Sequence, residues 1–358
     1  MKILFLIPYP IGESPSQRFR FEQYFSLLSG NGFSYTIQCF LNSPNWKIFF
    51  KSGHFLPKAL SLINGFTNRL VLLFHASGYD FIFIHREAAP IGPPIFEWII
   101  AKVLRKKIIY DFDDAIWLTD RNEESFLLRI VKWRSKVALI CSWAYKVSCG
   151  NEYLCSFARK HNSNVLLNPT TVDTQNLHNP AIHVKKESYQ KIVIGWTGSH
   201  STLKYLDELF TVLQHLENKY SQVEYWIIAD KPPVLKLSHL QFKLWSPKTE
   251  IDDLAQFDIG IMPLPNDQWA NGKCGFKALQ YMGLEIPTVA SPVGVNSQIV
   301  EHGKNGLLCQ TTEEWKKCLS ELIENKSLRL AMGAAGRKKV IDHYSVSSNS
   351  SNFLSLFS

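Results

Sequence analysis

The sequence predicts an α/β protein built from two doubly wound parallel sheets. Three observations carry that prediction. At 358 residues the chain exceeds what one hydrophobic core normally serves, so two domains are expected. Short apolar, β-branched runs alternate with longer helical periodicities along both halves, the signature of strand–helix–strand units. The runs are almost continuously apolar, as strands covered on both faces are.

In the first half the expected strands are Lys2–Pro8, Tyr35–Phe40, Phe81–His85, Lys107–Asp111 and Lys146–Cys149. Helices are expected around Arg18–Ser29, Leu56–Ala76, Pro94–Leu104, Phe126–Ala138 and Glu152–Lys160. The second half repeats the pattern with strands Lys191–Trp196, Glu224–Ala229, Gln241–Trp245, Phe257–Met262, Thr288–Ala290 and Gly306–Cys309. Asn168-Pro169, Asn179-Pro180 and polar neighbours interrupt the periodicity between the halves. The expected organisation is a domain over 1–175, a linker over 176–190, a second domain over 191–335 and a tail over 336–358 that starts as helix.

Hydrophobic residues at 46% and charged residues at 20% exclude a disordered chain. No apolar run reaches the roughly 18 residues of a membrane span, and the opening MKILFLIPYPIG reads as a first strand. The seven cysteines, at 39, 141, 149, 155, 274, 309 and 318, lack the paired spacing of a zinc site, and their odd number argues against a disulfide framework. The expectation is a reducing, cytoplasmic setting with no metal site.

Charge is uneven. Residues 1–175 carry 20 Lys+Arg against 13 Asp+Glu, whereas the rest is nearly balanced. No acidic residue occurs from Gln23 to Tyr79, a span of 57 residues in which Lys47, Lys51, Lys58 and Arg69 interleave with Trp46, Phe49, Phe50, Phe55, Leu60, Ile63, Leu70 and Phe74. That mixture suits an anionic membrane surface, possible also for a helix packed on a core. In Leu127–Lys146, where Arg129, Lys132, Arg134 and Lys136 alternate with Ile130, Val131 and Trp133, a core-packing helix is the preferred reading. No nucleic-acid-binding motif accompanies the basic balance.

The chemistry concentrates in Asn271–Ser291, NGKCGFKALQYMGLEIPTVAS, a loop, a helix and a buried strand in succession. Gly272 and Gly275 let backbone approach a ligand, Lys273 and Lys277 supply cations, and the helix start offers unpaired N–H groups around Cys274 and Phe276. An anionic group, most plausibly phosphate, fits there.

The segment order strand, glycine-bearing loop, helix, Pro287 to Ser291, then Gly303 to Leu308 and Leu328 to Arg337 resembles the carboxyl-terminal domain of GT-B glycosyltransferases of family 4. The resemblance implies two Rossmann-like domains facing across a cleft, a nucleotide-sugar donor, retention of anomeric configuration, and no cofactor or metal. The family usually carries two glutamates separated by seven residues; here Gly272 and Gln280 stand at those positions. Gln280 is then expected to reach the ribose. Gly195–Lys204 resembles the family's glycine turn followed by lysine, placing Gly198, Ser199 and Lys204 at the diphosphate, with Trp196 and Thr197 where an arginine is common. Trp245 is expected to line the base.

Asp111, Asp113 and Asp114 fall at the end of the Lys107–Asp111 strand, where the family faces the reacting sugar and acceptor. They are the candidate catalytic residues, with Arg86 as partner of the aspartates or of an acceptor phosphate. A helix cap with acidic first-turn residues is the structural counterpart for any one of them. Gly12 and Arg18 lie in the Tyr9–Arg20 loop expected to cover the cleft. The predicted function is sugar transfer to a hydroxyl of a cell-surface glycan or lipid-linked acceptor by a cytoplasmic protein, peripheral at the membrane. The opposing hypothesis is a non-catalytic nucleotide- or glycan-binding scaffold.

Overall fold

A computed structural model describes residues 1–49, 51, 53–119, 125–183, 185 and 191–358, with the side chains of 127–129 set aside. Phe50, the Arg129 side chain and linker residues 184 and 186–190 lie outside that description. The chain divides into two compact units, Met1–Thr170 with Ser350–Ser358, and Thr171–Asn349.

The first unit holds six parallel strands: β1 (Lys2–Ile7), β2 (Ser34–Cys39), β3 (Phe81–His85), β4 (Lys107–Phe112), β5 (Lys146–Cys149) and β6 (Val165–Leu167), in the order β2-β1-β3-β4-β5-β6. Ile3 to Ile7, Ile82 to Ile84 and Ile108 to Tyr110 are fully buried, which is why these strands read as unbroken apolar runs. β1 leads to β2 on one side and the chain then returns to place β3 on the other, so the strand order reverses between β1 and β3. The crevice outside the carboxyl ends of two such strands is where open α/β sheets bind ligands.

The second unit repeats the plan with β7 (Ile192–Thr197), β8 (Val223–Ala229), β9 (Leu240–Leu244), β10 (Ile259–Met262), β11 (Thr288–Ala290) and β12 (Gly306–Leu308). Their order is β12-β11-β10-β7-β8-β9, again all parallel. Here the reversal falls between β7 and β10. The helix Lys326–His343 belongs to this unit. The residues that rejoin the first unit are Ser350–Ser358, held by the Tyr24–Phe353 stack at 4.2 Å and by Asn352 Nδ2 donating to the Leu167 carbonyl at 3.0 Å.

Three expected helices differ. Arg18–Ser29 is broken into a turn at Pro15–Arg18, a turn at Glu22–Tyr24 and a helix at Phe25–Gly30, because the buried Gln17 amide ties the segment to Tyr9 O and to Glu22 Oε1. Phe126–Ala138 is two helices, Phe126–Lys132 and Lys136–Trp143, parted where Trp133 adopts φ 46°, a left-handed conformation that ends a helix. The helix expected over Leu56–Ala76 differs in direction rather than extent: in Phe55–Leu73, Arg69, expected near the surface, is buried. Its guanidinium donates to the carbonyls of Ala88, Gln38 and Ile7 at 2.8, 3.0 and 2.9 Å, which no local pattern encodes.

Candidate functional site

In the first unit, β1, β3 and β4 end at Tyr9, Arg86 and the Asp113-Asp114 pair. Arg86 sits at φ 62°, uncommon for a residue with a side chain. Its N–H donates to Asp111 O at 2.7 Å and its carbonyl accepts from Tyr110 Oη at 2.7 Å. Two backbone anchors thus hold the unfavourable conformation, as at many functional sites. The guanidinium turns back over the end of β4, with Nε 2.9 Å from Asp113 Oδ1 and Nη2 2.7 Å from both Asp113 Oδ1 and Asp114 Oδ2. Burial opposes the Arg86 charge, but Asp113 and Asp114 outweigh it and raise its pKa. All three side chains keep some exposure, between 13% and 22%. Burial raises the Tyr9 hydroxyl pKa, and the Tyr9 ring packs against Trp46 at 4.6 Å. The cluster offers guanidinium donors and carboxylate acceptors to a hydroxyl-bearing ligand.

Asp111 does not join it. Expected beside Asp113 and Asp114, it is fully buried within β4, whereas Asp113 and Asp114 follow the end of that strand. It accepts from Arg20 and from Ser148 Oγ at 2.6 Å, and lies 2.8 Å from His85 Nδ1. Burial alone would raise its pKa, but the Arg20 guanidinium and His85 hold it well below the usual carboxylate range. Asp111 is therefore the buried hub of a hydrogen-bonded group of this unit. The pairing of Arg20 and His85 with Asp111 was not legible in the sequence, because they lie 91 and 26 residues from it.

The Tyr9–Arg20 loop is fastened from within. Gly12, at φ 81°, donates its N–H to Glu22 Oε2 at 2.9 Å. Arg18 lies over the Phe19 ring at 4.9 Å. Burial raises the Glu22 pKa against the hydrogen bonds from Gly12 and Gln17.

In the second unit the loop 272–275 leads into the helix Phe276–Gly283, at the reversal beside β10. Gly275 has φ 68°, and a Cβ there would lie 2.2 Å from Ile299 Cδ1, so only glycine fits. No side chain caps the helix at this end. Thr197 N–H, at the end of β7, donates to Tyr281 Oη at 3.1 Å, fixing the helix against the strand. Lys277 Nζ lies 5.4 Å over the Trp196 ring, and Lys273 Nζ lies 4.9 Å over Trp269. Gly198 abuts the Trp196 ring, 2.5 Å from where its Cβ would stand. Trp196 itself is core and does not replace the arginine of the resembled pattern.

Ser199 Oγ meets Ser201 Oγ at 2.8 Å, and the following turn is tied to the end of β8 by His200 Nδ1, 2.6 Å from Asp230. Lys204 is exposed, its Nζ 5.6 Å over the Tyr205 ring. Trp245, half-buried after β9, packs on the cluster of Val193, Ile228, Ile251 and Tyr281. Gly198, Lys277 and Trp196 converge, therefore, at one strand end. Cys274 and Gln280 do not present themselves there: Cys274 is buried, and Gln280, expected at the ribose, is 1% exposed and donates to buried Glu250 at 3.1 Å. Gln280 points inward because it lies on the helix face that packs on Glu250–Leu254. Glu250 gave no sequence signal; it lies 30 residues from its partner. Among the described residues no cluster of three His, Cys, Asp or Glu could hold a metal ion.

Residues 191–325 match the family described as Glycosyl transferases group 1. No curated protein sequence matches the chain. Among solved structures the chain is similar to sucrose-phosphate synthase from Thermosynechococcus elongatus, at 12% identity and TM-score 0.73, over 100% of this chain and 98% of that one. It is similar to Anabaena HepE in complex with UDP and glucose, at 14% identity and TM-score 0.66, over 99% and 98%. A third similar structure is WaaG, a glycosyltransferase involved in lipopolysaccharide biosynthesis, at 13% identity and TM-score 0.64, over 99% of both chains. Residues 191–325 thus match the glycosyl transferases of group 1, and the two six-stranded parallel sheets of the chain are those of the two-domain GT-B fold.

Proposed function

We propose that the chain transfers a sugar, with retention, from a nucleotide-sugar donor to a hydroxyl of a cell-surface glycan or lipid-linked acceptor. The observation that carries this reading is the left-handed turn at Gly275 that brings Lys273 and Lys277 to the start of the helix Phe276–Gly283, where β7 and β10 end. Negative charge develops on the departing diphosphate, and fixed donors aimed at it act most strongly in the transition state. Lys204 adds a cation that can swing to the same group. HepE, of similar fold, was solved with UDP-glucose, which makes uridine diphosphate sugars the first donors to try. The Arg86, Asp113 and Asp114 cluster would hold the acceptor, a carboxylate taking its hydroxyl proton.

The test is release of nucleoside diphosphate from a panel of donors. Lys204→Ala and Lys273→Ala should each lower the rate about 10–100-fold, since a hydrogen bond to a charged group contributes about 1.5–3 kcal/mol. Donor binding without turnover by the wild type would instead favour a scaffold, the reading that the absent carboxylates at 272 and 280 support. Peripheral membrane attachment at the cytoplasmic face belongs to the same proposal, supported by exposed Lys47 and Lys51 and by the apolar surface near them. Sedimentation with acidic but not neutral vesicles, reversed by salt, tests it.

A further inference from the structure

The helix Phe55–Leu73 is turned inside out. Its buried positions are Ser61, Gly65 and Arg69, four residues apart along one face. Gly65 lets the helix close on Phe40, whose ring would lie 2.6 Å from a Cβ there. Several apolar side chains point the other way: Leu56, Leu60, Ile63 and Leu70 are 70%, 56%, 61% and 52% exposed. A helix serving only a soluble core does the reverse.

Toward its carboxyl end this outward face becomes one wall of a groove of about 540 Å³, within the size range of small-molecule sites. Phe66, Leu70, Ile95, Phe96, Ile130 and Trp133 line it. Among the described residues no charged side chain lines it. The segment that contributes Ile95 and Phe96 begins at Arg86. Along it Lys136 Nζ lies 2.6 Å from Glu87 and 2.9 Å from Ala89 O, and Lys132 Nζ 3.5 Å from Pro90 O. Within ten residues the chain passes from the Arg86–Asp113–Asp114 cluster, past two lysines, to a wholly apolar trough.

We propose that this groove binds one hydrocarbon chain of the lipid that carries the acceptor hydroxyl, its head group lying toward residues 86–90. The identity of the head group rests on the sugar-transfer reading above; the hydrocarbon site does not. The occupant follows from charge. The span from Gln23 to Tyr79 carries no carboxylate, and Lys47 and Lys51 are exposed within it, so a second copy of this face would bring like charges together, whereas an anionic lipid complements them. Each buried methylene improves affinity about fourfold, so binding should depend steeply on chain length.

The full chain is titrated with cis-parinaric acid below its micellar concentration, with decyl and dodecyl phosphate as competitors. The expected result is saturable binding of one probe per chain, with dodecyl phosphate at least tenfold the better competitor. Leu70→Glu and Ile130→Glu alter exposed positions and should each weaken probe binding tenfold or more, with melting temperature and uridine diphosphate affinity unchanged. Absence of saturable binding by the wild type, or undiminished binding by both variants, overturns the proposal. So does a wild-type dimer that Ile130→Glu separates without any probe binding. Failure of the sugar-transfer reading would show separately, as no nucleotide release from any donor while the probe still binds.

Discussion

Replacing Asp111 by asparagine should destabilise the first unit rather than disable a catalytic group. The carboxylate is fully buried and accepts from Arg20 Nε at 3.4 Å, from Arg20 Nη2 and from Ser148 Oγ at 2.6 Å, with His85 Nδ1 at 2.8 Å. Asparagine preserves the volume, removes the charge and turns an amide donor toward groups that are already donors. Arg20, itself 1% exposed, would be left as an uncompensated buried cation, and breaking a buried pair in this way costs about 3–5 kcal/mol. For a domain of this size that corresponds to a fall in thermal midpoint of roughly 6–20 °C.

The pH dependence supplies a second arm. Arg20 and His85 overcome the effect of burial and depress the folded-state pKa of Asp111, so its stabilisation is present above the ordinary aspartate value of about 3.9 and lost as pH falls through the folded value. The gap in midpoint between wild type and variant should be full at pH 7 and narrow progressively below about pH 4. Calorimetry of the full chain at both ends of that range measures it. An unchanged midpoint at pH 7 with lost turnover would refute the reasoning and place Asp111 against the substrate.

Asp113→Asn and Asp114→Asn should behave oppositely, losing turnover while the melting temperature falls by no more than about 4 °C, because both side chains keep solvent contact and a solvent-accessible pair contributes about 0–1 kcal/mol; a larger fall in midpoint with retained activity would make them structural. Gln280→Glu restores the carboxylate common in similar proteins, yet sets it 3.1 Å from buried Glu250, and two buried carboxylates at that distance cannot both ionise. The variant should unfold more readily as pH rises from 5 to 8, and combining it with Glu250→Gln should restore stability; a fully stable single variant at pH 8 would contradict the packing.

The strands were legible in the sequence because burial on both faces leaves an unbroken apolar run. Phe81–His85, Lys146–Cys149 and Thr288–Ala290 occur at the expected residues. β6, Val165–Leu167, escaped notice because it is a three-residue edge strand, only half-buried. The loop before Phe276 was legible for a local reason too: glycines and lysines before a helix are adjacent in the chain and encode the same feature wherever the helix packs. The break at Trp133 was not, since a left-handed residue with a large side chain carries no compositional mark.

By itself, the sequence determined the α/β class and the doubling of the sheet plan, both of which follow from short-range periodicity. Only the tertiary structure decided how the three aspartates divide, because Asp111 answers to Arg20 across 91 residues while Asp113 and Asp114 answer to Arg86. It decided likewise that Arg69 is interior and that the apolar face of its helix is exterior. Periodicity shows that a helix has two faces. Which face is buried depends on hydrogen-bond acceptors brought by distant strands, here the carbonyls of Ile7, Gln38 and Ala88, and on the high cost of leaving a buried guanidinium without them.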